Sequence, residues 1–332
     1  MKELYTINLQ LFAATVQTTL LTDLSPENKT FYDMTLIDEA GPELVHDQFA
    51  QKRPIPANGG KKIEFRKFAS LPKALTPLTE GVTPDGKNLK VESIEAEVAQ
   101  YGDYITQSDV LELTSIDNTI VEATKLLGKQ AGLTLDTITR NVLQSGTYVY
   151  YCPKVAADGS TTAVTSRSGL DATCKLTVDV IKQVAALLKK NNTPKIDGSY
   201  VCIIHPFVAY DLMSDPEWID AHKYTTSENI FNGELGKIGG VRFVESSEAK
   251  VYTGGVFGCL MLGANAYGVT EITGGGLQTI IKQKGSAGTA DPLDQRSSIG
   301  WKAIKTAEIL VQPYMYRIEC KSKLSDKITE EN

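Results

Sequence analysis

Histidine is scarce in this chain: 332 residues contain three, His46, His205 and His222. Cysteine is thin and scattered, and Cys152, Cys174, Cys202, Cys259 and Cys320 form no Cys-x-x-Cys pair. A zinc finger or ribbon needs clustered His and Cys ligands, so this class is excluded. The odd, unpatterned cysteines read as reduced thiols of a cytosolic setting. No run approaches the ~18 apolar residues of a membrane span. The richest, Val256 to Ala264, is broken by Gly258 and Gly263. The stretch Leu9-Gln10-Leu11-Phe12-Ala13-Ala14 is too short for a signal core, so the sequons at Asn28 and Asn191 have no secretory context. Positive charge is not in excess either. Lys plus Arg is 34 against 40 Asp plus Glu, a net charge of −6. Phosphate-driven nucleic-acid binding needs concentrated Lys and Arg and is disfavoured.

What remains is an ordinary folded composition, with 42% hydrophobic and 22% charged residues. Division by ~150 residues per domain suggests two domains. A chain of this size buries about three quarters of its extended surface. Residues 1–30 are mixed and Thr-rich and read as an extended arm. Helical spacing follows from about Pro26, through Phe31, Met34 and Ile37 and then Leu44, Val45 and Phe49. Arg53-Pro54-Ile55-Pro56 ends it and forces extended geometry. Residues 61–105 read as one long hairpin. Ile63, Phe65 and Phe68 mark its first strand, and Leu89, Val91, Ile94, Ala96 and Val98 its return, with a bulge expected at Glu92-Ser93. Its faces are thinly apolar, and such a hairpin needs something to lie on.

Ser108-Asp109 is a helix-cap signal. Ile116, Ile120, Ala123, Leu127, Ala131, Thr134, Ile138 and Val142 then form one stripe on a helix from about Asn118 to Gln144. Its length is on the order of 40 Å. Thr177 caps a second helix to about Lys190. Short strands are expected at 201–204, 241–244, 256–262, 267–272 and 277–282, with a long closing pair at 299–310 and 314–320. His205-Pro206 and Asp215-Pro216 open short helices. The order is α+β rather than a βαβ alternation.

Sites for chemistry are absent from this pattern. The run Gly233 to Gly240 is neither a phosphate loop nor a dinucleotide fingerprint, and it reads as a glycine turn entering a strand. Gly274-Gly275-Gly276 reads the same way. Cys202 and His205 straddle a strand end and read as a buried thiol beside a turn histidine. His46 reads as a structural neighbour of the Pro54 turn, and His222 as the end of a short helix. Glu95 and Glu97 share a solvated strand face, and Asp291 to Arg296 is a polar turn whose functional reading is an intersubunit or ion contact. No catalytic, cofactor-binding or metal-ligating residue is assigned, and no cofactor is expected. An arm, a long hairpin and a long helix are features that a monomer keeps at a cost, so the residues point to an assembly subunit. A monomeric α+β hydrolase would need a concave titratable cluster that three scattered histidines do not supply.

Four blocks carry a resemblance: LVHDQFAQKRPIPANGGKKIEFRKF (Leu44–Phe68), HPFVAYDLMSDPEW (His205–Trp218), ENIFNGELGKIGGVRFVES (Glu228–Ser246) and DPLDQRSSIGWKAIKTAEILVQPYMYRIE (Asp291–Glu319). In this order they resemble the N-four-type family of tailed-phage major capsid proteins. The resemblance implies the Hong Kong 97-type capsid fold. Residues 1–59 would be the N-terminal arm and 60–105 the extended loop. Residues 106–175 would be the peripheral domain with the spine helix, 176–275 the axial domain, and 276–332 return strands to the peripheral domain. It implies a non-enzymatic coat protein, made in the host bacterial cytoplasm, that assembles as hexamers and pentamers of an icosahedral shell. The shell would enclose double-stranded DNA without sequence-specific binding and without a membrane. Portal and decoration proteins are implied partners. Some relatives carry a helical scaffolding segment before the arm; the ~60 residues ahead of the loop lack that pattern, so a separate scaffolding protein is expected. Lys73, Lys87 and Lys90 could supply the lysine of an isopeptide crosslink, but no motif marks its partner. An encapsulin-type nanocompartment shell protein is the alternative on the same fold.

Overall fold

A computed structural model describes residues 45–56, 60–68, 71–78, 80–83, 86–115, 119–156, 158–222, 235–271, 277–286, 291–328 and 331–332. The arm, the helix expected from Pro26 with Phe31, Met34 and Ile37, the turn at Gly274 to Gly276 and the start of the Gly233 run lie outside them. The fold is α+β. Two compact units are distinguished. The larger takes Ala40–Tyr101, Gly132–Gly276 and Ala303–Asn332, and the smaller includes Gly102–Ala131 and Leu277–Lys302.

The larger unit is built on a seven-stranded sheet. The strand Val256–Leu262 lies in its middle, antiparallel to Met315–Lys321 on one side and to Tyr200–Ile204 on the other. Val149–Tyr151 extends the sheet beyond Met315–Lys321 in parallel. Val241–Glu245 runs parallel to Tyr200–Ile204, and Lys237–Ile238 closes that edge. Lys250–Tyr252 pairs with the start of Val256–Leu262. Two strands, Tyr200–Ile204 and Val256–Leu262, are buried throughout. Their continuous apolar runs are what a strand covered on both faces requires.

Period two sorts their side chains between two cores. Cys202, Ile204, Phe257, Cys259 and Met261 join the core that contains Val180, Ile181, Val184, Ala185 and Leu188. The last five lie on the helix Val178–Lys190, which starts where expected. The Thr177 hydroxyl accepts from the Val180 N–H at 3.4 Å, and Lys189 and Lys190 close its last turn. Val201, Ile203, Leu260 and Leu262 face the other way, toward Leu143, Val45, Tyr267, Ile309 and Met315.

The hairpin of the larger unit differs from expectation at two points: its return strand ends at Glu97, since Ala99–Ser108 belongs to a five-stranded sheet, and its pairing carries no bulge. Lys62–Phe68 and Val91–Glu97 pair without interruption, from Lys62 against Glu97 to Phe68 against Val91. There is no bulge at Glu92-Ser93. The sequence suggested one because apolar residues change parity between Val91 and Ile94. In fact Ile94 opposes Phe65 on one face, while Val91 is half exposed on the opposite face. Among the described residues of the hairpin, the buried apolar ones lie on its strands near the base. Phe65 and Ala96 are buried, and a Cβ at Gly268 would meet the Phe65 ring at 3.0 Å. Residues 45–50 also differ: they form turns and a bend rather than a helix, and Gln51–Lys52 runs parallel to Gly268 and Val269.

The long helix, Thr119–Gln144, matches its expected span. Ala123, Leu127 and Ala131 are buried as the stripe requires. Beyond Ala131 the buried face changes: Asp136, Thr139, Arg140, Leu143 and Gln144 are buried, whereas Thr134, Ile138 and Val142 are half-buried. Polar side chains are covered here because each finds a partner. Gln144 shows the pattern, donating to the Gly258 carbonyl at 2.7 Å and accepting from the Tyr252 hydroxyl at 2.9 Å.

In the smaller unit, Gln278–Lys282 pairs antiparallel with residues 298–302 of the strand Arg296–Ile309. Gly102 and Gly300 permit close backbone approach: a Cβ would lie 2.6 Å from the Trp301 carbonyl oxygen and 2.8 Å from the Tyr104 Cβ, respectively. The short helix Asp109–Thr114 is capped as expected by Ser108. Gln130 joins Trp301 Nε1, at 3.2 Å, to Asp103, at 2.8 Å.

Gly258 lies in the middle of the central strand, where a Cβ would sit 2.7 Å from Gln144 Oε1 and 2.9 Å from the Tyr252 ring. Gly258→Ala is therefore expected to lower unfolding free energy by about 1–3 kcal/mol through overpacking. Urea titration of the two proteins measures this, with an unchanged slope.

Candidate assembly surface

The residues singled out for chemistry fall in separate places. Cys202 is fully buried in the central sheet. His205 caps the helix Pro206–Met213, and its Nδ1 accepts from the Phe207 N–H at 3.1 Å. Its ring lies against Phe207 and Phe257, with centroids 5.0 and 4.9 Å away. Burial lowers its pKa from 6.5 to about 4, so the ring is a neutral acceptor at pH 7. His222 ends the helix Pro216–His222. Asp215 opens that helix, accepting from the Glu217 N–H at 3.0 Å. His46 is not a neighbour of the Pro54 turn as expected. It is buried against the long helix, paired with Asp136 at 2.6 Å. The pairing joins residues 90 apart and leaves no local sequence signal.

Gly239 and Gly240 form the expected turn, with φ of 62° and 84° between Lys237–Ile238 and Val241–Glu245. Both positive values favour glycine. Glu95 and Glu97 are exposed, and Lys62 lies 3.5 Å from Glu95. Asp291 shapes its own turn by accepting from the Arg296 N–H at 2.8 Å. All five cysteines are free and buried. Cys259 and Cys320 approach to 3.9 Å; the contact with Cys320 and burial push the Cys259 thiol well above its ordinary pKa, and contact with Cys152 and burial do the same to Cys320, which makes both poor nucleophiles. Among the described residues no three His, Cys, Asp or Glu side chains are grouped to hold a metal ion.

One buried charge cluster braces the larger unit. Glu319 is fully buried on the strand Met315–Lys321. Arg167 grips both its oxygens, at 2.7 and 2.6 Å, and Arg317 adds a bond at 2.9 Å. The Arg167 guanidinium also covers the Tyr252 ring at 3.5 Å. This ties the Ser- and Gly-rich segment around Arg167 to the sheet, a bidentate role that lysine would not fill.

The largest unexplained feature is apolar. Between the hairpin strands, Leu71, Leu75, Leu78, Val82 and Leu89 stand in solvent, with Leu75 83% and Leu78 77% exposed. Phe68 and Val91 at the strand ends continue the row, 63% and 51% exposed. Single exposed apolar residues are ordinary, but a row confined to one loop marks a contact surface. Within the smaller unit, Leu113, Ile281 and Leu293 are 80%, 52% and 75% exposed. In the sequence the faces of the hairpin are thinly apolar and its middle is rich in turn residues, which do not tell whether the leucines between them are covered.

A family profile described as phage capsid protein matches residues 93–286, more than half of the chain. No curated protein is significantly similar to the chain. Among solved structures, the capsid of cyanophage P-SCSP1u superposes with a TM-score of 0.68 over 96% of this chain and 100% of that chain, at 13% identity. The capsid of Ralstonia phage GP4 gives 0.64 over 95% and 100%, at 16% identity. An encapsulin complex from Synechococcus elongatus PCC 7942 is more distant, at 0.51 over 94% and 94%, with 11% identity. The fold is thus the Hong Kong 97-type capsid fold. The chain belongs to the phage capsid protein family. It is a major capsid protein, a structural component of the virion shell.

Two measurements test the electrostatics. Glu319→Gln is expected to cost about 2–4 kcal/mol, because Arg317 loses its buried counterion while Arg167 stays partly solvated; denaturant titration reads it. The His205 effect has a definite sign. Its folded pKa of about 4 lies below the ordinary 6.5, so the unfolded chain binds the extra proton between those values. Stability is then fully present above pH 6.5 and is lost as pH falls toward 4. Thermal melts from pH 7 to 4 are expected to fall less steeply for His205→Asn, which keeps a capping acceptor without the titration.

Proposed function

We propose that the chain self-assembles into hexamers and pentamers of an icosahedral shell enclosing double-stranded phage DNA, and that it catalyses no reaction. The carrying observation is the row of exposed apolar side chains from Phe68 to Val91, which a lone chain leaves in water. Each leucine covered by a neighbouring copy contributes roughly 1.5–3 kcal/mol before the cost of ordering the loop. Several such weak contacts per subunit hold a shell by multivalency.

In this reading 1–59 is the N-terminal arm, 60–105 the extended loop, 106–175 the peripheral domain with the long helix, and 176–275 the axial domain. Residues 276–332 carry the return strands. Of these, Met315–Lys321 pairs with Val149–Tyr151 of the peripheral segment as well as with Val256–Leu262 of the axial one, which supports reading them as return strands to the peripheral domain. The subunit is made in the host bacterial cytoplasm and works with a separate scaffolding protein, a portal and decoration proteins. The net charge of −6 supports a shell that holds DNA without gripping it.

Size-exclusion light scattering with negative-stain imaging tests the assembly. The wild-type chain is expected as capsomers or shells. A Leu75→Asp, Leu78→Asp double variant is expected near the 36.1 kDa monomer mass. Its unfolding free energy should stay within about 0.5 kcal/mol of wild type, since both side chains are solvent-exposed in the single chain. A wild-type chain that remains monomeric with scaffold present overturns the proposal.

A further inference from the structure

The hairpin of the larger unit separates its charges by strand. Lys62–Phe68, with Lys61 ahead of it, carries four cations, Lys61, Lys62, Arg66 and Lys67, and one acid, Glu64, a net charge of +3. Val91–Glu97 carries Glu92, Glu95 and Glu97 and no cation, a net charge of −3. All eight of these side chains are exposed. The two strands form a sheet of their own, so among the described residues each has one unpaired edge, the first basic and the second acidic. Contacts within the chain use part of this charge. Lys62 lies 3.5 Å from Glu95 and Arg66 2.9 Å from Glu64, at side chains open to water, where such pairs contribute little. Lys67 stands opposite Glu92 in the register, yet neither they nor Lys61 and Glu97 enter an ion pair among the described residues.

Charge on an exposed strand edge keeps that edge from joining a copy of itself. Here the two edges differ in sign. Basic against basic and acidic against acidic repel, whereas basic against acidic attracts. A contact between two different patches is heterologous, and repeated around an axis it closes a ring. At their far end both strands lead into the exposed apolar row through Phe68 and Val91, which oppose each other in the register.

We propose that the hairpins of neighbouring copies lie side by side, with the basic edge of Lys62–Phe68 in one copy against the acidic edge of Val91–Glu97 in the next. The charges fix which edge meets which, and so the direction in which copies follow one another. The leucine row beyond them supplies the apolar area. This inference rests on the assembly reading above and names the surface through which adjacent copies choose their orientation.

Two charge-reversed variants of the full chain test it by light scattering, under the conditions in which wild type assembles. The first, Lys61→Glu with Lys62→Glu and Lys67→Glu, has two acidic edges. The second, Glu92→Lys with Glu95→Lys and Glu97→Lys, has two basic ones. Each alone is expected to lose about 10-fold or more of the wild-type association. Mixed in equal amounts, they are expected to assemble into even-numbered rings that contain both, because every junction again joins unlike edges. Pairing across the hairpin within one chain would give no such rescue, since mixing leaves each hairpin's own charges unchanged. Should the reversals disturb folding, wild type supplies a second measurement. Carbodiimide coupling in an assembly of unlabelled and nitrogen-15-labelled copies is expected to join lysines of 61–67 in one copy to glutamates of 92–97 in another. Reversed variants that each assemble like wild type, a mixture no better than either alone, or couplings confined to single chains overturn this inference and leave the assembly reading standing. A wild-type chain that never assembles overturns both.

Discussion

Val256–Leu262 is covered on both faces, and the larger unit is arranged around that fact. A strand buried on both sides tolerates no shift of register, because a slip of one residue would exchange its two sets of side chains. Cys259 and Met261 must meet one core while Leu260 and Leu262 meet the other. The antiparallel partners Met315–Lys321 and Tyr200–Ile204 are thereby held in place. Gly258 is part of the same constraint, since Gln144 crosses the strand at the one position without a side chain.

Charges were placed where this packing needed ties between distant segments. Glu319 holds Arg167 across 152 residues, and Asp47 holds Lys305 across 258. A buried carboxylate with two guanidiniums gains little net stability over an apolar replacement, but losing one member is expensive. Such ties penalise wrong arrangements of a chain whose contacts are mostly long-range.

The exposed loop stands in contrast to the core. Phe65 and Ala96 anchor the base of the hairpin, while Leu75 and Leu78 are left in solvent. A subunit of a shell has use for this division, with a covered core and apolar residues left for contact with other copies. The match to phage capsid proteins over residues 93–286 begins within the return strand of that hairpin and does not cover its exposed loop.

Local signals in the sequence determined much of this protein. The stop and start residues of the helices at 119–144 and 178–190, the Ser108 and Thr177 caps, and the strands at 200–204 and 256–262 rest on periodicity and capping, which act over a few residues. The four ordered sequence blocks pointed to the capsid family by their residues and their order along the chain. Tertiary structure alone decided the rest. It placed His46 on Asp136 rather than beside Pro54, turned Val91 outward and removed the expected bulge. It also buried Asp136, Thr139 and Arg140 in place of the apolar stripe's continuation. Each of these depends on a partner far away in the chain, and hydrophobic patterning carries no information about which distant polar group will be there to meet a buried one.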